Sequence, residues 1–186
     1  MNRLSYSLMC LLATALLTVG CKNEDSSISR EDRCSFTFSY EDHRTSTLFV
    51  AVQNPGCYVF VSTKGDGKNT VRHVYVVSNE EGAEVEDNII RTAPENNLEY
   101  RLGANNEIGL IVGCTNFNGL CGYDRTCPNC TVLRALQWTG NRQKVTCKEC
   151  KRTYDLETAA VIEGAGGSPL KRYYCAFNGI AVRVWN

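Results

Sequence analysis

Apolar and polar residues alternate with a period of two over much of the chain. Phe36, Phe38 and Tyr40 are interleaved with Ser35, Thr37 and Ser39, and Ile180, Val182 and Val184 repeat the pattern near the C-terminus. Successive side chains of a strand point to opposite faces, so this period predicts half-buried strands. Residues 48–52, 58–61, 71–77, 98–102, 108–112 and 132–138 are further strand candidates. Between the second and third of these, Lys64-Gly65-Asp66-Gly67-Lys68-Asn69 is dense in residues that tolerate positive φ, and it reads as a hairpin turn. No window of helical length carries a stripe of period 3.6. The pattern predicts an all-β body, a sandwich or barrel of short strands punctuated by Gly and Asn, with no internal repeat.

The alternation is absent at the N-terminus. Residues 1–20 combine Arg3 with a largely apolar run at 8–19, only 12 residues long. A bilayer span takes about 20 residues, so the run reads as a signal peptide. It ends in Leu17-Thr18-Val19-Gly20-Cys21, which resembles the lipobox of bacterial lipoproteins, although Thr18 stands where that motif has Leu, Val or Ile. The resemblance implies removal of residues 1–20, diacylation of Cys21, and anchorage to a membrane through the N-terminal lipid as an outer-membrane lipoprotein of the cell envelope. Lys22-Asn23-Glu24-Asp25 is similar to the charged tract of surface-exposed Bacteroidetes lipoproteins. Residues 22–33 hold one aliphatic side chain, Ile28, too little apolar surface to offset chain entropy. Residues 21–33 are therefore expected to be an acylated cysteine and disordered tether, and residues 34–186 the globular domain.

Composition narrows the function classes. The chain has 186 residues, 20 Lys and Arg against 20 Asp and Glu, and 43% hydrophobic residues, enough for one domain with a real core. Zero formal charge argues against a dedicated nucleic-acid binder, which needs a cationic surplus to neutralise phosphates. Eleven cysteines are unusual. Cys127-Pro128-Asn129-Cys130 and Cys147-Lys148-Glu149-Cys150 form C-x2-C-x16-C-x2-C, the spacing of a tetrathiolate metal site. Two cysteines three positions apart on a tight turn can aim both sulfurs at one ion about 2.3 Å away, and two such turns close a tetrahedron. The competing reading is a redox dithiol or disulfides, which an oxidising compartment favours. Residues 125–152 carry seven basic side chains against the single acid Glu149, a net of +6 that offsets the dianion of four thiolates around a divalent ion.

The same region resembles a Rieske domain. Val145 through Thr158 includes Cys147, Cys150 and the Tyr154-Asp155 pair; Gly164, then Pro169-Leu170-Lys171-Arg172-Tyr173, and a last strand at 179–184 follow. In that family a cysteine, two spacers and a histidine precede an aromatic-Asp pair, a glycine loop, a Pro-Leu turn and a final strand. Residues 108–112, 120–124 and Cys127 are similar to the strands leading into the family's first ligand loop. The resemblance covers about 107–186 and implies a Rieske-like sandwich or barrel with a small rubredoxin-like metal-binding subdomain at about 121–156. A closer likeness is to Bacteroidetes lipoproteins with two C-x-x-C knuckles. The departures are in the ligands: Cys130 and Cys150 stand where the family has histidine, the only histidines are His43 and His73, and Glu149 replaces the cysteine of the family's bridging disulfide. Cys127, Cys130, Cys147 and Cys150 suit one zinc or a mononuclear iron; the alternative is an all-cysteine [2Fe-2S] cluster, which would sit at low potential.

The remaining features are expected to be structural. Cys34, Cys57, Cys114, Cys121 and Cys175 would make two disulfides and one buried thiol in an exported chain. Gly65-Asp66-Gly67 and Gly164-Ala165-Gly166-Gly167 are expected to be turns, Trp138 and Trp185 core or edge packing, and His43 and His73 surface residues. No G-x-S-x-G or H-E-x-x-H is present. Residues 80–107 hold eight acids against two arginines, an acidic stretch opposed to the basic one. The expectation is a non-catalytic protein without a small-molecule substrate, whose metal serves structure or interaction with an unidentified protein partner; the alternative is electron transfer to an envelope oxidoreductase.

Overall fold

The computed structural model describes residues 27–64, 72–140 and 142–186. Its elements in chain order are β1 (Cys34–Ser39), α1 (Thr47–Gln53), β2 (Tyr58–Lys64), β3 (His73–Ser78), β4 (Glu86–Ile89), α2 (Ala93–Asn96), β5 (Arg101–Leu102), β6 (Leu110–Cys114), β7 (Leu120–Asp124), β8 (Gln137–Thr139), β9 (Lys144–Thr146), β10 (Thr153–Asp155), β11 (Val161–Glu163), β12 (Arg172–Phe177) and β13 (Ala181–Trp185). Nine strands form one sheet in the order β4-β3-β2-β6-β7-β12-β13-β1-β5, and four form a second in the order β11-β10-β9-β8. Every pairing between these strands is antiparallel. The fold is mostly β, as the period-two pattern predicts.

The larger sheet curls over its own core. β12 pairs with β7 through Arg172 and Tyr173 but with β13 through its next four residues, so it hands over from one half of the sheet to the other. Phe36, Phe38, Val182 and Val184 from one half then meet Val59, Val61, Val74, Val76, Leu110 and Val112 from the other in one buried cluster. Alternation sends the intervening residues the opposite way. Tyr58, Phe60, Ile111, Cys121 and Tyr123 project from the other face and pack against Leu136, Val145, Tyr154, Leu156 and Leu170 of the smaller sheet and its loops. β2, β6 and β7 are thus covered on both faces, which is why residues 58–61 and 110–112 read as unbroken apolar runs.

Residues 48–52 are helical, contrary to the strand expected there. Leu48, Val50 and Val52 fit a period of two, but the structure buries Leu48, Phe49, Ala51 and Val52 and leaves Val50 exposed, the pattern of one helical face. The capping explains the choice. Ser46 is the N-cap, its hydroxyl accepting from Leu48 N–H, while the Glu86 carboxylate of β4 accepts from Thr47 N–H at 2.9 Å and from the Ser46 hydroxyl at 2.9 Å. A carboxylate 40 residues away in sequence therefore caps the helix.

Other expectations shift in detail. Only Arg101 and Leu102 of 98–102, and only the end of 132–138, pair as strands. β4, β9, β10, β11 and β12 were not anticipated as periodic runs because most are short and half-exposed. β2 and β3 pair from Lys64 with His73 onward, as a hairpin requires, although the turn at 65–71 lies outside the described residues. His43 is a correction: it is buried, stacks on Phe38 and meets Glu95 Oε2 at 3.0 Å from its Nε2. His73 lies on β3 and pairs with Asp87. With Glu86, Asp87, Glu95 and Glu99 all bonded internally, half of the acidic stretch is structural.

The expected signal peptide and Cys21 lie outside the described residues, as do residues 22–26 of the tether. Residues 27–33 are held on the body: Ser29 N–H donates to Arg172 O, Lys171 pairs with Glu31 and Asp32 at 2.7 Å each, and the Asn186 amide donates to Ser29 O. Order thus starts upstream of Cys34, because charged side chains and a C-terminal asparagine supply the contacts that an apolar count leaves out. No helix among the described residues is long and apolar enough to cross a membrane.

Ser46→Ala removes the cap of α1 and one partner of Glu86. A loss of about 1 kcal/mol in urea unfolding, with the β-sheet circular dichroism unchanged, is expected.

Candidate metal centre

The first knuckle is built as β7 ends. Thr126 bridges Ala135, and Cys127 N–H donates to Arg134 O at 2.8 Å, closing a loop that carries Cys127 and Cys130. Asp124, fully buried at the end of β7, pins its root by accepting from Thr126 N–H, the Thr126 and Tyr173 hydroxyls and Ala104 N–H. The second knuckle is the β9–β10 hairpin. Cys147 N–H donates to Arg152 O and Lys151 N–H to Cys147 O, each at 2.9 Å, and Lys151 takes φ +59° to complete the turn. That left-handed backbone is one that non-glycine residues adopt at a cost.

The loops converge. All four Sγ atoms of Cys127, Cys130, Cys147 and Cys150 lie within 4.8 Å of one another. Between the knuckles, Cys127 Sγ lies 3.6 Å from Cys150 Sγ and Cys130 Sγ lies 3.7 Å from Cys147 Sγ. A tetrahedron with metal–sulfur bonds of about 2.3 Å has sulfur–sulfur edges of about 3.8 Å, so the four thiols fit a single coordination sphere. None of the nine cysteines among the described residues is in a disulfide. The four-cysteine cluster can therefore bind a metal such as zinc or iron.

Electrostatics at the cluster favour a cation. Four thiolates this close cannot all ionise alone, since each charge raises the cost of the next. Burial and the neighbouring Cys147, Cys127 and Cys150 sulfurs push the Cys130 thiol up to about 12. At Cys150 burial also works upward, but hydrogen bonds from the Arg152 side chain and backbone N–H outweigh it and hold the thiol at about 6. Cys127 and Cys147 are buried, whereas Cys130 and Cys150 are half-buried and face outward.

Three side chains that spacing alone does not reveal surround the sulfurs. The Tyr154 hydroxyl sits 3.3 Å from Cys127 Sγ and accepts from Asn129 Nδ2 at 2.8 Å. Burial raises the Tyr154 hydroxyl, so it keeps its proton and can donate to a Cys127 thiolate. Asn129 also exchanges two hydrogen bonds with the backbone of Ser168, and Arg152 donates from Nε to Ala165 O at 2.8 Å and from Nη2 to Gly166 O at 3.1 Å. The glycine-rich stretch, expected to be a turn, is an open loop, and with Ser168 it holds both knuckles. A Cβ at Gly167 would press on the Asn129 amide carbon at 2.8 Å.

Compared with family models, curated proteins and solved structures, the chain matches none. What can be said of the centre comes from its own geometry. Beneath the knuckles, Trp138 stacks on Phe60 with ring centroids 3.7 Å apart and planes within 1°, and the Arg125 guanidinium lies 3.9 Å over the same Phe60 ring. Trp138 is therefore a packing residue. At the opposite corner, Glu157 accepts from Asn116 N–H at 2.7 Å, Phe117 N–H at 3.0 Å and the Asn118 amide at 2.7 Å, clasping the β6–β7 loop to the smaller sheet.

Sequence spacing picks out the four clustered cysteines; Tyr154, Arg152 and Asn129 carry no motif of their own. For Tyr154, its position seven residues after Cys147 is the available signal.

Two substitutions separate geometry from chemistry. Lys151→Gly relieves a left-handed backbone and should raise stability by about 1 kcal/mol in denaturant titration without changing metal content. Tyr154→Phe deletes the donor to Cys127 and leaves the Asn129 amide one acceptor short; it should lower stability by about 1 kcal/mol while the protein still binds one ion per chain by elemental analysis.

Proposed function

We propose that this chain is a Rieske-like, lipid-anchored protein of the cell envelope whose Cys127, Cys130, Cys147 and Cys150 hold one zinc or iron ion, and that the ion shapes a surface for a protein partner without catalysis by the chain itself. The observation that carries the metal reading is the fit of all four sulfurs within 4.8 Å to one tetrahedral sphere. A two-iron cluster divides its thiolates between two metals and spreads them further apart, so the compact tetrad supports a mononuclear ion over [2Fe-2S]. The Rieske-like reading is supported by the residues at 107–186 that resemble the family and by a small four-stranded sheet whose β9–β10 hairpin carries the second knuckle. The envelope reading is supported by the lipobox-like Leu17-Thr18-Val19-Gly20-Cys21.

The ion has a clear structural role on this scaffold. The strands of the smaller sheet are three residues each, too short to hold together by pairing alone. An ion joining β9–β10 to the loop before β8 crosslinks that sheet and adds its binding energy to folding.

One feature supports a second reading, electron transfer by a rubredoxin-type iron. Tyr154 and Arg152 direct hydrogen bonds at Cys127 and Cys150, and such bonds tune the potential of an iron–sulfur centre. The half-buried Cys130 and Cys150 would bring it near a docked partner.

Metal analysis and an absorption spectrum of protein purified without chelator or refolding separate the readings. One zinc per chain and a colourless sample match the structural role; one iron with charge-transfer bands that dithionite bleaches reversibly matches the carrier. Cys147→Ser should strip the ion and lower the thermal midpoint in both cases. Metal-free wild-type protein, or a Cys147→Ser variant with unchanged metal content and midpoint, overturns the proposal.

A further inference from the structure

Among the described residues, the five cysteines outside the four-cysteine cluster are free thiols, against the expected two disulfides, and strand register distinguishes them. Cys34 lies opposite Leu102, Cys121 opposite Gly113 and Cys175 opposite Val184. Cys57 and Cys114 face each other. β2 and β6 pair from Tyr58 with Gly113, and one step further Cys114 N–H donates to Cys57 O at 3.1 Å while Gly56 N–H donates to Cys114 O at 2.8 Å. Asn54-Pro55-Gly56-Cys57 is a tight turn closed by Cys57 N–H to Asn54 O, and Gly56 at φ +77° makes it a glycine bulge that sets Cys57 against Cys114.

The two side chains also share a face. Tyr58 and Phe60 belong to the core beneath the metal sheet, so alternation sends Cys57 with Val59 the other way; Ile111 belongs to that same core, so Cys114 follows Val112. Directly opposed residues of an antiparallel pair have Cα atoms about 4.5–5.5 Å apart, inside the range a disulfide spans. Both thiols are half-buried and so keep part of their surface open to solvent, and Cys57 lines a small depression with Val50, Ala51 and Glu80.

We infer that Cys57 and Cys114 are a disulfide site, oxidised by thiol–disulfide exchange with a low-molecular-weight disulfide or a disulfide-form oxidoreductase. One cysteine thiolate attacks the oxidant's disulfide, forming a mixed disulfide and releasing one reduced thiol. The second cysteine then displaces the other half, so two protein thiols give up two electrons and two protons, and the oxidant leaves as two thiols. The bond ties the Asn54–Cys57 turn to the strand that enters the β6–β7 loop, whose Asn116, Phe117 and Asn118 hold Glu157 of the metal-bearing sheet. It thereby staples the body at the seam where that sheet is clasped. The inference does not depend on which metal the centre binds.

The test uses metal-replete protein incubated with oxidised glutathione, acid-quenched, alkylated and digested without reduction. Trypsin should yield one crosslinked pair joining 45–64 to 102–125, lighter by two hydrogens than the sum of the reduced peptides, and cleavage after Phe117 and Leu120 parts Cys114 from Cys121. The link should persist in Cys121→Ser, vanish in Cys114→Ser, and raise the thermal midpoint of the wild-type protein by several degrees. Full alkylation of Cys57 and Cys114, stable glutathione adducts on them, or a link to Cys34, Cys121 or Cys175 would overturn it. Peptide mapping of the wild-type chain decides the question even if a serine variant fails to fold.

Discussion

Three strands buried on both faces are the constraint on which the rest of this structure depends. β2, β6 and β7 each send one set of side chains toward the curled core of the larger sheet and the other set under the smaller sheet. A shift of register by one residue would exchange the two sets, placing Tyr58, Phe60 and Ile111 where smaller valines pack. Register is therefore specified from both sides at once. It also governs the site, because β7 runs through Asp124 directly into the loop of Cys127 and Cys130, so the first pair of sulfurs inherits its position from the most deeply packed part of the molecule.

The second pair is placed by different means. Cys147 and Cys150 sit on a hairpin of three-residue strands, and their approach to the first pair relies on contacts around the sulfurs and on the Trp138–Phe60 stack below. An aromatic pair of this kind contributes about 0.5–1.5 kcal/mol beyond the area it buries, and the Arg125 cation over the same ring adds to it. Burial pushes the Arg125 guanidinium down to about 10, still well above neutral pH, so it remains charged in place. The loop at 164–168 then ties Asn129 of one knuckle to Arg152 of the other, through the Ser168 backbone and the Ala165 carbonyl.

What the chain discloses by pattern is the part set by local chemistry. Two C-x-x-C turns place four ligands, and alternation in β1, β2 and β13 marks strands, because sulfur pairs and period-two burial are both encoded within a few residues. Residues 48–52 misread as a strand because their β-branched content matches one, while the deciding cap, Glu86, arrives from β4. His43 and Glu95 likewise become a buried pair only when α2 packs near the end of β1, which no short window displays. Tyr154 is legible as a residue but not as a partner of Cys127, since that depends on where the two knuckles meet, whereas Arg152 reaches Cys150 within its own hairpin. The thiols outside the centre could not be paired by spacing, and strand register is what sorts them.

The uneven burial of the four sulfurs gives the centre a front and a back. Cys127 and Cys147 are sealed by protein, and Cys130 and Cys150 border solvent, with Val132 and Leu133 exposed beside them. A bound ion would accordingly meet incoming ligands from a single direction. Chelators, competing metals and oxidants would displace the two outer thiolates first while the inner pair kept hold, making loss of the ion a stepwise process in which the half-attached intermediate still has its buried anchors.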